Sequence, residues 1–294
     1  MLIQQIAADV VVWAPAKVNL FLEVLAKRPD GYHDIATLMV AVSLYDTLVC
    51  KADDSGVVRL GCDLPNLSTG PDNLVTRAAA LLQRHTGCRK GANLRLIKRI
   101  PLAAGLAGGS TDAAAALAGL NLLWQLGLTT AELATLAGDL GSDVPFFFAI
   151  PAAWCVGRGE QVTPLVLGRP LVFVLACPPA GLSTAAVYRD VRVPDRPESG
   201  LEIRRALTAG DVDEVGRRLH NRLQPPAERL YPAVAAVQAR LAGLSAAGAM
   251  MSGSGSSLFA LCNDRNEALR IAHTLRHGLE DGLRLHVYLV RSCA

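Results

Sequence analysis

The chain has 294 residues, and its 29 basic against 26 acidic side chains leave a formal charge of +3, a balance that argues against a nucleic-acid or membrane-surface protein. With 51% hydrophobic residues it can bury a sizeable core, and its length accommodates two domains. Seven scattered cysteines without a CxxC pair fit reduced, buried thiols in a cytoplasm.

The opening "MLIQQIAADVVVWAPAK" carries no basic residue ahead of its apolar part and no clear cleavage site, so it reads as a first strand rather than a secretory signal. "VVVWA" and "VNLFLEVL" look like strands, and Lys17 and Asn19 stand at the start of the second among apolar neighbours. "RPDGYH", residues 28 to 33, is a tight turn that presents Tyr32 and His33. Alternation from Ile35 to Val49 predicts a long strand. "DNLVTRAAALLQRHTG" predicts a helix closed by Gly87, and "ANLRLIKRI" a strand ending at Pro101.

"PLAAGLAGGSTDAAAALAGL", residues 101 to 120, is apolar enough to suggest a membrane span, which needs about 20 such residues. Ser110, Thr111 and Asp112 at its centre exclude that, and the run from Val144 to Val156 is broken by Pro145 and Pro151. Glycines at 105, 108 and 109 precede a helical run through Trp124. Glycine admits backbone shapes closed to other residues, and a helix N-terminus offers unpaired N–H groups with about half a positive charge. Ser110 and Thr111 can cap that end or contact a phosphate or its magnesium ion, which makes an anion site. An ordinary capped helix with a glycine hinge fits the same residues. A Walker A loop is excluded because no lysine follows the glycines, and G-x-G-x-x-G is absent here and at "SGSGSS".

"TTAELATLAGDLG" begins with a capping box, Thr129 to Glu132, and stops at Gly141. Asp143, in "LGSDVPFFF", follows that stop directly, an odd place for a carboxylate without a task. "AAWCVGRGEQVTPL" reads as a hairpin, and a second region begins near residue 161. There "RPLVFVLAC" is a strand and helices cover 201 to 244. The glycine-serine loop of "GAMMSGSGSSLFAL" then joins two strands, before a helix and the closing strand "RLHVYLVR". His273 and His277 have the spacing of a metal pair but no acidic or cysteine partner nearby, so they read as helix surface, as does "RRLHNR".

In this order, the segments around Lys17, 101–112 and 250–258 resemble the three motifs of the GHMP small-molecule kinases. "PAKVNLFLEVLAKRPDGYH", "GPDNLVTRAAALL", "IKRIPLAAGLAGGSTDAAAAL", "GLNLLWQLGL", "LGSDVPFFF" and "LHNRL" narrow the resemblance, over nearly the whole chain, to the branch serving the non-mevalonate isoprenoid pathway. The resemblance implies an α+β fold of two domains. Residues 1–160 would form an N-terminal α/β ATP-binding domain with a left-handed β-α-β unit, and 161–294 a ferredoxin-like C-terminal domain. It implies phosphorylation of the 2-hydroxyl of a cytidine-diphosphate-linked methylerythritol, with ATP and Mg2+ as cofactors.

Position by position, Lys17 and Asp143 match the family's catalytic pair, with Asp143 accepting or orienting the hydroxyl proton and Lys17 holding that carboxylate ionised. Phosphoryl transfer asks mainly for positioning and charge stabilisation, so such a pair suffices; a purely structural salt bridge is the alternative. Pro101, Leu102, Ala103, Ala104, Gly105, Leu106, Ala107, Gly108, Gly109, Ser110 and Thr111 match the ATP phosphate loop, and Asn73 and Lys98 the adenosine contacts. Asn19, Tyr32, His33 and Tyr188 match substrate-binding positions; Tyr188 would stack on the base, although an ordinary half-buried tyrosine fits it too. The resemblance identifies no magnesium ligand.

The departures are alanines at 103, 104 and 107 where many relatives have glycine, which should stiffen the loop, then Ser256 and Ser257, and Arg222 and Gln224 in place of acids. The rivals are another kinase of the superfamily acting on homoserine or a mevalonate-type alcohol, which "RPDGYH" disfavours, and a catalytically silent nucleotide-binding protein, which Lys17 and Asp143 disfavour. The expected partner is a small molecule, with neither nucleic acid nor membrane, for a cytoplasmic monomer or weak homodimer.

Overall fold

The computed structural model describes residues 1–179, 181–244, 246–277 and 284–293. The chain divides into two compact units, one of Met1–Ala16, Leu44–Ile100 and Ala107–Ala149, the other of Lys17–Ser43, Pro101–Leu106 and Ile150–Ala294.

β1 (Leu2–Ile6) turns through Ala7 and Ala8 into β2 (Asp9–Lys27), whose residues to Ala16 belong to the first unit and from Lys17 to the second, with Ile6 opposite Asp9 and Leu2 opposite Trp13. Ala7 takes a φ of 54°. Tight hairpins usually announce such a residue with Asn or Gly. An Ala-Ala pair gives no such signal, which is why the opening segment reads as one strand. β2 in turn is continuous over 19 residues where the sequence suggested two strands. Pro15 has no N–H to donate, but its fixed φ suits extended backbone, so it interrupts the pattern and not the strand.

β3 (His33–Asp53) contains the predicted alternation. β4 (Val58–Cys62), α1 (Leu74–Thr86) and β5 (Gly91–Ile97) form a β-α-β unit whose two strands are parallel, and β5 pairs antiparallel with the Thr47–Asp53 end of β3. The strand order is β1-β2-β3-β5-β4. Asn73 caps α1 by accepting from Val75 N, and Gly87 ends it at φ 70° as predicted.

α2 (Gly108–Trp124) is buried at every residue from Thr111 to Leu120, and its alanines let neighbours approach closely. A Cβ at Gly119 would come within 3.0 Å of Val12 and 3.1 Å of the Cys50 sulfur. Its N-cap is Ala107, so Ser110 and Thr111 lie inside the first turns and do not cap it. α3 (Thr130–Ala137) has the predicted capping box but stops at Ala137 rather than Gly141. The chain continues there through i→i+3 turns, Gly138 N to Thr135 O and Leu140 N to Ala137 O, since two glycines in four positions weaken a full helix.

The second unit contains β6 (Ala152–Gly157) and β7 (Gln161–Leu165), the predicted hairpin, with β6 pairing to Ile35–Val40 of β3. Then follow β8 (Val172–Cys177), α4 (Thr184–Asp190), α5 (Leu201–Ala209), α6 (Val212–Arg217), β9 (His220–Asn221), α7 (Gln224–Leu230), α8 (Pro232–Ala242), β10 (Gly248–Met251), β11 (Leu258–Cys262), α9 (Arg265–His277) and β12 (His286–Arg291). β8, β10, β11 and β12 form an antiparallel sheet in the order β10-β11-β8-β12, the ferredoxin-like arrangement. Val174, Ala176, Leu258 and Ala260 of this sheet share one core with Val237 and Leu241 of α8, Ile271 and Leu275 of α9, and Leu22 and Val24 of β2. β9 pairs parallel with Phe21 and Leu22, a contact too short to leave a pattern in the sequence. Among the described residues no helix is long and apolar enough to cross a membrane.

Candidate active site

Alternation along β2 puts Lys17, Asn19, Phe21 and Glu23 on one face, and all four are buried. A buried ammonium needs acceptors. Lys17 Nζ donates to Asn19 Oδ1 at 2.5 Å and to the carbonyl of Gly105 at 3.0 Å. Asn19 Nδ2 donates to Thr37 Oγ1, whose hydroxyl donates to Phe21 O, so the amide is fixed in orientation.

The Gly105 carbonyl also accepts from the hydroxyl of Ser252 at 2.9 Å, and Ser252 Oγ accepts from Asn19 N. Lys17 N donates to Leu106 O, and Ser257 N to Ala104 O. The strand around Lys17, the 101–106 segment and the glycine-serine loop therefore meet at one carbonyl. Gly105 has φ 74°, and a Cβ there would sit 2.1 Å from Ser252 O, so only glycine permits the approach. Asn221 on β9 steadies the same loop, donating to Met251 O and Gly253 O at 2.8 Å each. Gln224 accepts from Met251 N at 2.9 Å and so steadies the same loop.

Ala103 and Ala107 adopt φ of 50° and 56°, where an alanine costs roughly 1–2 kcal/mol more than glycine. Beyond them, in the first unit, Thr111 Oγ1 is buried with no hydrogen-bond partner, and the first turn of α2 presents N–H groups that no helix can satisfy internally. Asn73 and Lys98 have their side chains engaged within the protein. Asn73 caps α1 and donates to Ser68 O; Lys98 Nζ donates to Asp112 Oδ2 at 2.6 Å and to Asp46. Asp143, half-buried, precedes a single 3-10 turn, Pro145–Phe148, anchored by Phe146 and Phe147 in the core.

The "RPDGYH" turn forms as predicted. Arg28 N donates to Tyr32 O, Gly31 has φ 86°, and the Arg28 guanidinium joins Asp30 at 3.1 Å and Asp34 at 2.8 Å. His33 lies against Tyr188 with ring centroids 5.2 Å apart and planes 32° from parallel, while Arg158 stands over the Tyr32 ring at 5.2 Å. Burial, and secondarily Lys27, lowers the His33 pKa below its ordinary value, which favours a neutral imidazole able both to donate and to accept.

Sequence reasoning missed Glu23, whose signal was a carboxylate inside an apolar strand. Its oxygens accept from Arg222 Nε and Nη2 at 2.7 and 2.8 Å, from the main-chain N–H of Val24 and Glu198, and face His220 Nε2 at 3.2 Å. Burial pushes the carboxyl up, yet these hydrogen bonds, Arg222 foremost, leave it well below the usual carboxylate range. Arg222 is thus the partner of Glu23.

The GHMP kinases N terminal domain matches residues 73–149 and the GHMP kinases C terminal domain residues 203–281. A 4-diphosphocytidyl-2-C-methyl-D-erythritol kinase of Symbiobacterium thermophilum is 46% identical, covering 89% of this chain and 93% of its own. The enzyme of the same name from Pelotomaculum thermopropionicum is 43% identical over 90% of this chain and 92% of its own. A crystal structure of 4-(cytidine 5'-diphospho)-2C-methyl-D-erythritol kinase aligns with TM-score 0.79 at 38% identity, covering 97% of this chain and all of that one. A homoserine kinase from Cytophaga hutchinsonii shares the fold at TM-score 0.77 with 18% identity, over 100% of this chain and 97% of its own.

Two outcomes are expected from this geometry. Gly105→Ala should lower kcat/KM for ATP by at least about tenfold while circular dichroism stays that of the wild type, because the loop must swing off Ser252. The Glu23 carboxyl titrates lower in the folded than in the unfolded chain, so its stabilisation is complete above the unfolded value of 4.5 and drains away on acidification below it. Urea midpoints should fall between about pH 5 and about pH 3. Arg222→Met should cost about 2–3 kcal/mol at neutral pH and flatten that fall.

Proposed function

This chain belongs to the GHMP kinase family and, within it, to the 4-diphosphocytidyl-2-C-methyl-D-erythritol kinases, and from that premise we propose which of its residues perform the reaction. The reaction is transfer of the γ-phosphoryl group of ATP to the 2-hydroxyl of 4-diphosphocytidyl-2-C-methyl-D-erythritol, in the non-mevalonate route to isoprenoid precursors. The observation that carries the assignment is the meeting of all three family motifs at the Gly105 carbonyl.

ATP places its phosphates on residues 101–111, over the N-terminus of α2, where the N–H groups and helix dipole favour an anion. Magnesium fits as a companion of those phosphates. Among the described residues no group of three or more His, Cys, Asp or Glu could hold it, and the partnerless hydroxyl of Thr111, beside Ser110, is the protein oxygen suited to the nucleotide–metal complex. Bound there, the ion would neutralise developing charge on the phosphates.

Asp143 accepts or orients the proton of the 2-hydroxyl, and Lys17 supplies the fixed cation of the pair. Asn19 and the Gly105 carbonyl hold that ammonium in place, so no reorganisation is needed when charge develops. Tyr32, His33 and Tyr188 receive the cytidine end, Tyr188 by stacking and His33 at the polar edge of the base. Any adenosine contact at Asn73 or Lys98 is through the main chain, since both side chains are engaged. The two family domains are proposed to divide at residue 160, between the matched segments. Among the described residues the seven cysteines form no disulfide, which suits a cytoplasmic enzyme; its state is proposed as monomer or weak homodimer.

The test is ATP turnover with the cytidylylated substrate beside homoserine, mevalonate and methylerythritol phosphate. Turnover is expected with the first alone, and its absence there sinks the assignment. Asp143→Ala should lower kcat by about 10²–10⁴-fold with ATP binding retained; a near-normal rate would remove Asp143 from its role.

A further inference from the structure

The glycine loop leaves β5 through Lys98 and enters α2 at Gly108, and both ends are tied to one buried cluster. Asp46 on β3 accepts through Oδ1 from the main-chain N–H of Arg99 at 2.6 Å and of Ile100 at 2.9 Å. Its other oxygen holds the Lys98 ammonium, which donates at 2.6 Å to Asp112 Oδ2 inside α2. The side chains of Lys98, Asp46 and Asp112 are 1%, 0% and 4% exposed. A Cβ at Gly108 would lie 3.2 Å from Lys98 Nζ, so the ammonium packs directly beneath the first residue of the helix.

This is an expensive way to hold a loop. Two carboxylates and one ammonium have left water, and Asp112 Oδ1 has no hydrogen-bond partner. Burial raises the Asp112 pKa, against the pull of Lys98; burial would also lower that of Lys98, but the two carboxylates outweigh it and keep the ammonium charged. Apolar residues of similar volume fill a core at no such cost, whereas only a rigid, directional bridge ties a strand end to a helix start.

We propose that Lys98, bridging Asp46 and Asp112, is a positioning residue for the phosphoryl donor, fixing the entry of the 101–111 loop against the start of α2 before nucleotide arrives. This rests on that loop taking the phosphates. The Lys98 ammonium touches no nucleotide atom; it keeps the first N–H groups of α2 and Thr111 converged on one place.

Calorimetric titration with ATP and with inorganic tripolyphosphate separates the possibilities. Lys98→Met combined with Asp112→Asn preserves the cluster's formal charge and removes the bridge. It should weaken both ligands by the same factor, about tenfold, and leave the KM of the cytidylylated substrate within about twofold. Asp112→Asn alone keeps Lys98 compensated by Asp46, and should weaken both ligands in parallel by a smaller factor; it carries the test if the double variant does not fold. A loss confined to ATP overturns the proposal in favour of a direct adenosine contact. Unchanged affinities with a lowered Tm overturn it in favour of a purely structural cluster. Wild-type protein that binds neither ligand would overturn the phosphate reading of the loop, and the positioning role with it.

Discussion

An ammonium with almost no contact with water constrains everything around it. Lys17 is 3% exposed, and a charge so placed is tolerable only where acceptors are built to meet it. One of those acceptors is a main-chain carbonyl, which brings the loop containing Gly105 close enough that no side chain fits between it and Ser252. The requirement then passes outward to Asn221 and Gln224, which hold the loop carrying Ser252. The cation we propose for phosphoryl transfer and the packing of three chain segments are thus one arrangement, and the bonds that hold the charge in place are the bonds that stabilise the fold.

β2 shows how a single strand supports this. Lys17, Asn19, Phe21 and Glu23 share one face, while Val18, Leu20, Leu22 and Val24 on the other are fully or nearly buried. The polar face is therefore internal, and each charged member needs a partner from elsewhere in the chain. Lys17 finds the loop at 105, and Glu23 finds Arg222 and His220.

What could be read in advance was local. The capping box at Thr129, the stop at Gly87, the "RPDGYH" turn and the glycine-serine loop between β10 and β11 each depend on a few adjacent residues, and each forms. The helix behind the glycine loop is also where its alanines suggested. Misreadings arose where tertiary context overrode a local signal. Pro15 did not end a strand, an Ala-Ala pair made a hairpin, and Ser110 and Thr111 passed from caps into the helix body. The pairing of Glu23 with Arg222 spans 199 residues, and that of Lys98 with Asp46 spans 52, distances at which no periodicity speaks. The order of the three motifs was legible, but not their meeting at Gly105, because the carbonyl that joins them is backbone and backbone geometry has no letter in the sequence.

The Glu23–Arg222 pair also limits how this protein can be recombined with its kin. The carboxylate comes from the first long strand and the guanidinium from the residue that follows the two-residue strand β9 in the second half. If a relative carried an acid at the position of Arg222, neither half would be interchangeable with the corresponding half of this chain. Joining them would set two acids face to face in a buried space, or leave a lone guanidinium there. A substitution at either position has to be matched at the other if the buried carboxylate is to keep its partner.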